Sequence, residues 1–235
     1  MDSSEMSSSI VDTGIARIKT IVTDKDSDIK LAVETFLSNK KNTKKIIGLE
    51  TERVQKARKQ FKTVLLQLCD GDHCLIVKLP CEESVNLPVS LFNFLNLPQF
   101  TFVGFDIKKT LVKLESEWGL TCKNSVEINP TTWNLPDMTN VGRRMMHTCV
   151  FSQRPTSPIF EEWDQCVLTK DQIKLATSNA YFAFGIGGVM LDIKKSIIRN
   201  KTVRYDAVKV IHQLGMKEIF VSMSTNERHG WIKLA

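Results

Sequence analysis

Two glutamates separated by one residue, Glu50 and Glu52, are the side chains of this sequence best placed to do chemistry. They follow the apolar run Ile46–Leu49, which is typical of a buried strand. Because a strand turns its side chains to alternate faces, both carboxylates are expected on one face, at the strand end. Carboxylates placed in this way need solvent, a charged partner or a metal ion. The alternative interpretation is a strand that simply runs into a charged loop.

Basic residues gather after this pair and again further along the chain. Residues 53–62 contain five cations and no acid, namely Arg53, Lys56, Arg58, Lys59 and Lys62. A second group, on a predicted helix, consists of Lys108, Lys109 and Lys113. Clustered cations can bind the phosphates of a nucleic acid, and they can equally form a solvated surface. Both interpretations stay open.

The composition excludes several classes of protein. The chain has 235 residues, of which 42% are hydrophobic and 25% charged, and this balance indicates a globular domain. The net charge of +6 and the isoelectric point near 9.0 permit a nucleic-acid partner without requiring one. No apolar run approaches the roughly 20 residues that a membrane helix needs. The N-terminus lacks the pattern of a secretory signal, so we expect no membrane association and a cytoplasmic or nuclear location.

The six cysteines and four histidines predict neither a disulfide framework nor a zinc site. No two cysteines are spaced as C-x-x-C, and most lie in apolar, strand-like sequence, which is typical of buried thiols in a reducing compartment. The histidines are scattered, without the spacing of zinc ligands.

Periodicity predicts the elements that position these residues. Six strands are expected, at residues 17–22, 46–49, 64–69, 74–77, 100–104 and 126–128. The turn sequence at 70–73 joins two of these strands as a hairpin. Three helices are expected, at residues 24–37, 88–97 and 107–118, and Gly119 ends the third.

The second half of the chain contains one long predicted helix. Thr169 and Gln172 form a capping box, and the apolar periodicity continues to Ile197 although glycines weaken its middle. Residues 129–168 are expected to be loops with short helices. Residues 1–14 are expected to be a disordered tail. Residues 199–235 form a C-terminal extension with a helix at 205–214 and a strand at 218–223, packed on the same domain. The pattern indicates an α/β fold, with a mixed sheet of five or six strands and helices on both faces.

Three sequence blocks resemble the motifs of a known enzyme family. Ile46–Glu52 (IIGLETE) resembles the first motif of the DEDD 3′–5′ exonucleases, usually V-V-G-F-D-T-E. Phe102–Leu114 is similar to the second motif and Gln172–Tyr181 to the third. Val64–Ile76 resembles the intervening hairpin of the Werner-syndrome-type branch, especially its plant members. The resemblance covers residues 15–198 and implies the RNase H-like fold.

The resemblance also implies a mechanism that this sequence does not fully support. In that family four carboxylates hold two divalent metals, Mg²⁺ or Mn²⁺, and a tyrosine orients the attacking water. The corresponding positions here are Glu50, Glu52, Thr110, Leu175 and Asn179. Two carboxylates survive, as a weak metal site, whereas Thr110 and Asn179 carry no charge and Leu175 has no hydroxyl. We therefore expect no efficient two-metal hydrolysis, because hard cations are held mainly by charged oxygens.

Asp106 is a possible substitute ligand, since it precedes Thr110 by one helical turn at a position where the family usually has glycine. The alternative interpretation of Asp106 is an N-cap of the helix that follows.

Three functions follow from the resemblance. The first is a degenerate, weakly active or inactive exonuclease-like protein that binds single-stranded RNA or DNA. The second is an active metal-dependent 3′–5′ exonuclease with a rearranged site, and the third is a non-catalytic subunit in an oligomer with active homologues. For the first, the predicted nucleic-acid contacts are Arg53, Lys56, Arg58, Lys59, Lys108 and Lys109.

Overall fold

The computed structural model describes residues 8–13, 16–55, 61–80, 87–128, 163–198, 218–223 and 228–233. The strands are β1 (Ser8–Asp12), β2 (Arg17–Thr23), β3 (Ile46–Gln55), β4 (Phe61–Cys69), β5 (His73–Lys78), β6 (Thr101–Gly104), β7 (Ser125–Glu127), β8 (Glu218–Met223) and β9 (Arg228–Lys233). The helices are α1 (Asp26–Ser38), α2 (Val89–Leu95), α3 (Ile107–Trp118) and α4 (Lys170–Ile198).

The chain divides into two compact units. The first contains residues 1–128 and 155–187, and the second contains residues 129–154 and 188–235. Within the second unit, β8 and β9 form an antiparallel pair; β8 matches the predicted strand at 218–223, and β9 was not predicted. The helix predicted at 205–214 and the loops predicted over 129–162 lie outside the described residues. The domain boundaries at 15, 198 and 199 stay predictions, as does the packing of the extension on the first domain.

The first unit is built on a seven-stranded mixed sheet with the order β1-β2-β5-β4-β3-β6-β7. Neighbours β1–β2, β5–β4 and β4–β3 are antiparallel. Neighbours β2–β5, β3–β6 and β6–β7 are parallel. The predicted α/β class with a mixed sheet is confirmed, and the predicted count of five or six strands is one or two too low.

The additional strand is β1, which falls inside the segment predicted to be a disordered tail. Ser8–Asp12 pairs with β2 from Ser8 opposite Ile21 to Asp12 opposite Arg17, so the prediction is wrong for these residues. The serine-rich composition does not predict this strand, because β1 is stabilised by backbone pairing with the edge of the sheet and not by its own apolar side chains. Val11 is its only buried residue.

One face of the sheet carries an apolar core under α1, α2 and α3. Phe94 on α2 lies at its centre, with ring centroids 5.5 Å from Phe36, 5.1 Å from Phe100 and 5.5 Å from Phe102. Ile107 and Leu114 anchor α3 in the same cluster. The buried side chains that the three helices contribute to this core are all apolar, as the helical periodicity predicts: Ile29, Ala32, Val33, Phe36, Leu91, Phe94, Leu95, Ile107 and Leu114.

The opposite face is covered by α4, whose backbone lies directly on β3. A Cβ built on Gly48 would stand 2.1 Å from the carbonyl oxygen of Ala180 and 2.6 Å from the amide nitrogen of Phe184. No side chain fits in that space, so the glycine of the IIGLETE motif sets the contact between strand and helix. This contact places the middle of α4 beside the glutamates that follow Gly48.

Candidate functional site

The two glutamates lie in the middle of β3, not at its end, because the strand continues to Gln55. Glu50 is opposite Gln67 of β4 and Glu52 is opposite Leu65. Both side chains are buried, with 6% and 9% of their surface exposed. The predicted placement on one face holds, and that face is the one that α4 covers.

The family positions of the third motif lie on α4. Its predicted capping box is confirmed: Thr169 Oγ1 accepts from the backbone N–H of Gln172 at 3.2 Å, and Gln172 Oε1 accepts from the backbone N–H of Thr169 at 2.8 Å. Leu175 and Asn179 are four residues apart and therefore share one face of the helix. Both are buried, and Asn179 is 5% exposed.

Phe105 joins this helix face to the first glutamate. Its backbone N–H donates to Glu50 Oε1 at 3.2 Å, and its ring stacks on Phe182 with centroids 6.3 Å apart. Phe182 lies three residues after Asn179 and shares its side of α4. The structure therefore brings Glu50, Glu52, Leu175 and Asn179 to one region, and two phenyl rings form part of its lining.

The second-motif positions lie at the start of α3. Asp106 is the N-cap residue, and its side chain makes no capping hydrogen bond. Its carbonyl oxygen accepts the first hydrogen bond of the helix, from the backbone N–H of Thr110 at 3.0 Å. Asp106 adopts a left-handed conformation with φ 48°. Such a position favours glycine, and aspartate is one of the few other residues that tolerate it.

The carboxylate of Asp106 is directed to the helix surface. It lies 3.4 Å from the ammonium of Lys109, and its side chain is 73% exposed. The capping prediction is therefore right about the position and wrong about the mechanism. The arrangement gives the substitute-ligand interpretation no geometric support.

Gln67 is a site residue that the sequence reasoning missed. It is completely buried and directly opposite Glu50, and neither its Nε2 nor its Oε1 has a hydrogen-bond partner among the described residues. On α4, the buried Oδ1 of Asn179 also has no hydrogen-bond partner among the described residues. The signal was available, because Gln67 interrupts an otherwise apolar run from Val64 to Cys69.

Arg53, a predicted nucleic-acid contact, is engaged within the fold. Its guanidinium lies 2.7 Å from Glu117 on α3 and donates to Thr63 Oγ1 at 3.0 Å and to the carbonyl of Phe61 at 2.6 Å. Glu117 also accepts from the backbone N–H of Thr63 at 2.7 Å. This network follows a bulge in the β3–β4 ladder after Glu52 and ties α3 to the hairpin. These contacts favour a structural role for Arg53.

The remaining predicted contacts divide into two groups. Lys108 and Lys109 are exposed on α3, where Lys109 pairs with Asp106 as described. Lys56, Arg58 and Lys59 lie outside the described residues.

Tyr181 does not replace the missing tyrosine at Leu175. Its ring packs on Phe184 at 6.3 Å, and Phe184 contacts the turn at Gly71. Burial and the neighbouring Cys69 raise the pKa of Tyr181. The ring therefore packs with Phe184 near the β4–β5 turn, and the raised pKa favours the protonated phenol.

The residues present do not fit the two divalent metals that the family resemblance implies. Among the described residues, no group of three or more His, Cys, Asp and Glu side chains could hold a metal. The Oδ1 of Asn179, which has no hydrogen-bond partner among the described residues, is a neutral oxygen where a charged metal ligand is needed, and Asp106 is turned to Lys109. Two carboxylates balance the charge of one dication at most.

Comparison with solved structures identifies the fold. The chain is similar to the catalytic core of RRP6 from Trypanosoma brucei, with a TM-score of 0.55 at 16% identity over 83% of this chain and 49% of that one. It is similar to Escherichia coli RNase D, an exoribonuclease, with a TM-score of 0.56 at 13% identity over 83% and 49%. The fold is the RNase H-like fold of 3′–5′ exonuclease domains.

A third solved structure with this exonuclease-type fold is NrnC from Brucella melitensis bound to pGG. The TM-score is 0.50 at 14% identity, over 73% of this chain and 83% of NrnC. The chain thus spans about half the length of the RRP6 and RNase D structures and most of NrnC.

The C-terminal residues match a different family. Residues 200–235 match the At2g29880 C-terminal domain. Over 31 residues, the chain is 61% identical to an uncharacterized protein of that name from Arabidopsis thaliana, which is 13% of this chain and 10% of that protein. No helix in the described part of the chain is long and apolar enough to cross a membrane.

Proposed function

We propose that this chain uses an exonuclease-type fold to bind single-stranded nucleic acid, with hydrolysis weak or absent because half of the metal-binding charge is gone. The observation that carries the proposal is which residues occupy the four positions that hold the metals in the exonuclease family. The fold and the two glutamates of β3 are present, while the partner positions on α3 and α4 are Thr110 and Asn179. A neutral threonine and a neutral amide leave a two-metal reaction without two of its four charges.

Binding is supported by cations on the helix that carries the neutral Thr110. Lys108, Lys109 and Lys113 are exposed on α3, and Lys109 pairs with the equally exposed Asp106 at 3.4 Å. Exposed cations of this kind can bind the phosphates of a nucleic acid. NrnC, with the same fold, is seen with pGG bound, which supports a nucleic-acid ligand for this chain as well.

The proposal is tested with a 5′-labelled single strand, RNA or DNA, in Mg²⁺ or Mn²⁺. The native chain should retain the strand at low salt, release it steeply as salt rises, and leave its length unchanged. A restored variant, Thr110→Asp with Leu175→Tyr and Asn179→Asp, should shorten the strand from its 3′ end.

Matched controls separate the rival functions. Glu50→Gln with Glu52→Gln in the restored variant should abolish any shortening. If the native chain itself shortens the strand and the same two changes stop it, the site is active in a rearranged form and the proposal is wrong. If the native chain retains no strand at low salt but co-purifies with homologous exonucleases, it is a non-catalytic subunit instead.

We also propose a cytoplasmic or nuclear location, on the basis of the sequence alone. Fluorescence microscopy of the tagged full chain in a eukaryotic cell tests this, and accumulation in a secretory compartment would contradict it.

A further inference from the structure

Asp106 combines an unfavourable backbone conformation with an exposed charge at the start of α3. Its φ of 48° lies in the left-handed region, and Lys45 is the other non-glycine residue of the described chain with a positive φ. Glycine would adopt this conformation without the steric cost that a side chain brings. A residue kept in such a conformation points to a role for its side chain.

The carboxylate of Asp106 lies beside a cation that a ligand can also reach. Its Oδ1 is 3.4 Å from Nζ of Lys109, and the two side chains are 73% and 76% exposed. Solvent screens a pair of this kind, so the attraction between the two charges is weak. A phosphate can therefore compete with the carboxylate for the ammonium.

Asp106 also lies close to the glutamates of β3. Phe105, the residue before it, donates its backbone N–H to Glu50 Oε1 at 3.2 Å. Bond lengths then place Cα of Asp106 within about 8 Å of that oxygen. The Debye length is about 10 Å at 0.1 M salt, so a charge on Asp106 acts on a phosphate bound beside the glutamates.

The other exposed charges near Asp106 on this helix are positive. Lys108 adjoins Lys109, and both are exposed. Lys113 is exposed one turn after Lys109 and shares its side of α3. The first two turns of the helix thus offer three ammonium groups to phosphates, with one exposed carboxylate, that of Asp106, at their start.

We propose that Asp106 limits the affinity of the α3 lysines for the phosphates of single-stranded nucleic acid. The proposal rests on the function proposed above and adds a residue that opposes binding. The carboxylate competes with phosphate for Lys109, and it repels phosphates that approach Glu50.

Two substitutions at this position test the proposal, with a 5′-labelled oligothymidine titrated in the absence of divalent metal. Asp106→Asn and Asp106→Gly should each bind the strand about 2- to 5-fold more tightly than the native chain, the range expected for one exposed ion pair. The gain should shrink as salt is added, because salt screens exposed charges. Agreement between asparagine, which keeps the size of the side chain, and glycine, which removes it, assigns the effect to the charge.

Glu115→Gln is the matched control. It removes a carboxylate that is exposed on the same helix, about 13 Å further along the axis than Asp106. Its effect on affinity should be smaller than that of Asp106→Asn. An equal gain would show that the net charge of the chain, and not the position of Asp106, sets the affinity, and the proposal would be wrong.

Lys109→Met tests the competition for the ammonium. It should weaken binding more in the Asp106→Asn chain than in the native chain, because only there is the ammonium relieved of the carboxylate. Equal losses in the two backgrounds would show that the carboxylate and the phosphate do not compete for Lys109.

The remaining outcomes separate this proposal from the binding proposal. If the native chain retains the strand and Asp106→Asn binds it equally well, the limiting role is wrong and nucleic-acid binding stands. If Asp106→Gly alone binds more tightly, the backbone and not the charge limits the affinity. If only the variants retain the strand, the limiting role is supported and the native chain does not bind as proposed. If none of the chains retains it at low salt, both proposals are wrong.

Discussion

The two faces of the seven-stranded sheet bury different kinds of side chain. The face under α1, α2 and α3 buries an apolar cluster centred on Phe94. The face under α4 also has an apolar cluster, which includes Trp163, Leu175 and Ala180. Beside it this face buries carboxylates, amides and hydroxyls, namely Thr20, Glu50, Glu52, Gln67, Thr177 and Asn179. We expect the wholly apolar face to be the more sensitive to loss of a side chain, because the α4 face mixes apolar packing with buried polar groups that cost free energy to desolvate.

The largest expected effect is a loss of core packing on the apolar face. Phe94→Ala should lower the free energy of unfolding by about 3–5 kcal/mol, since the ring is 1% exposed and contacts three other phenyl rings. Denaturant unfolding of the full chain measures it. Phe182→Ala, on the α4 face, should cost less because Phe182 is 8% exposed and stacks on Phe105 alone among the described rings. Equal losses would show that the two faces contribute alike.

The next effect concerns the contact between α4 and β3. Gly48→Ala should destabilise by about 1–3 kcal/mol or more, because the added methyl meets the backbone of Ala180 and Phe184. Gly185→Ala, on α4 itself, is the matched control. A Cβ at Gly185 meets nothing within 4 Å, so that change should stabilise the helix by about 0.5–1 kcal/mol. Thermal unfolding of both variants checks the opposite signs, and two changes of the same sign would contradict the described contact.

A smaller effect is expected at Gln67, whose amide has no hydrogen-bond partner among the described residues of the α4 face. Gln67→Met keeps the length of the side chain and removes its two buried polar atoms, so stability should rise by about 1 kcal/mol. The reciprocal change, Leu68→Gln, places an amide in the apolar core on the other face and should destabilise. Loss of stability on Gln67→Met would show that the amide has a hydrogen-bond partner in solution, so that the polar groups of the α4 face form more hydrogen bonds than described.

The smallest effect is a pH dependence at the β4–β5 turn. Partial burial raises the pKa of Asp72, but hydrogen bonds from Lys41 and Asn39 outweigh it and hold the pKa below its ordinary value of 3.8. A carboxyl with a lowered pKa stabilises the fold above its ordinary pKa, and this contribution is lost as the pH falls through the folded-state value. The loss should stay below about 1 kcal/mol, because Lys41 is 80% exposed.

Unfolding of Asp72→Asn between about pH 5 and pH 3 measures this contribution. The variant should show a flatter pH dependence than the native chain. Lys41→Met should remove part of the same dependence, and the double variant should lose no more than Asp72→Asn alone. Independent, additive losses would show that the two side chains are not coupled.

Periodicity and motif order predicted most of the fold, and the failures have physical causes. The helix at Ile107–Trp118 was predicted to the residue, since its apolar spacing and its final Gly119 are both local signals. β1 was missed because an edge strand is stabilised by its neighbour's backbone, which composition does not record.

The site was predicted less completely than the fold. The motifs locate Glu50, Glu52 and Asn179, whereas the sequence predicts Arg53 as a nucleic-acid contact and does not predict its ion pair with Glu117. Its partner Glu117 lies 64 residues away in the sequence, and only the folded hairpin brings the two together. Likewise, spacing made Asp106 a candidate ligand or cap, and only its left-handed backbone and its pairing with Lys109 decide where the carboxylate goes.

The capping box at the start of α4 determines which residue the helix presents to β3. Each residue of an α-helix turns the chain by about 100°, so the two reciprocal hydrogen bonds of Thr169 and Gln172 set the rotational phase of every later position. Asn179 lies about two turns downstream. One residue inserted after Gln172 would bring Ser178 to the angle that Asn179 now occupies. The hydrogen bonds of the first helical turn therefore determine which side chain of α4 faces the glutamates, although they lie about two turns away from it.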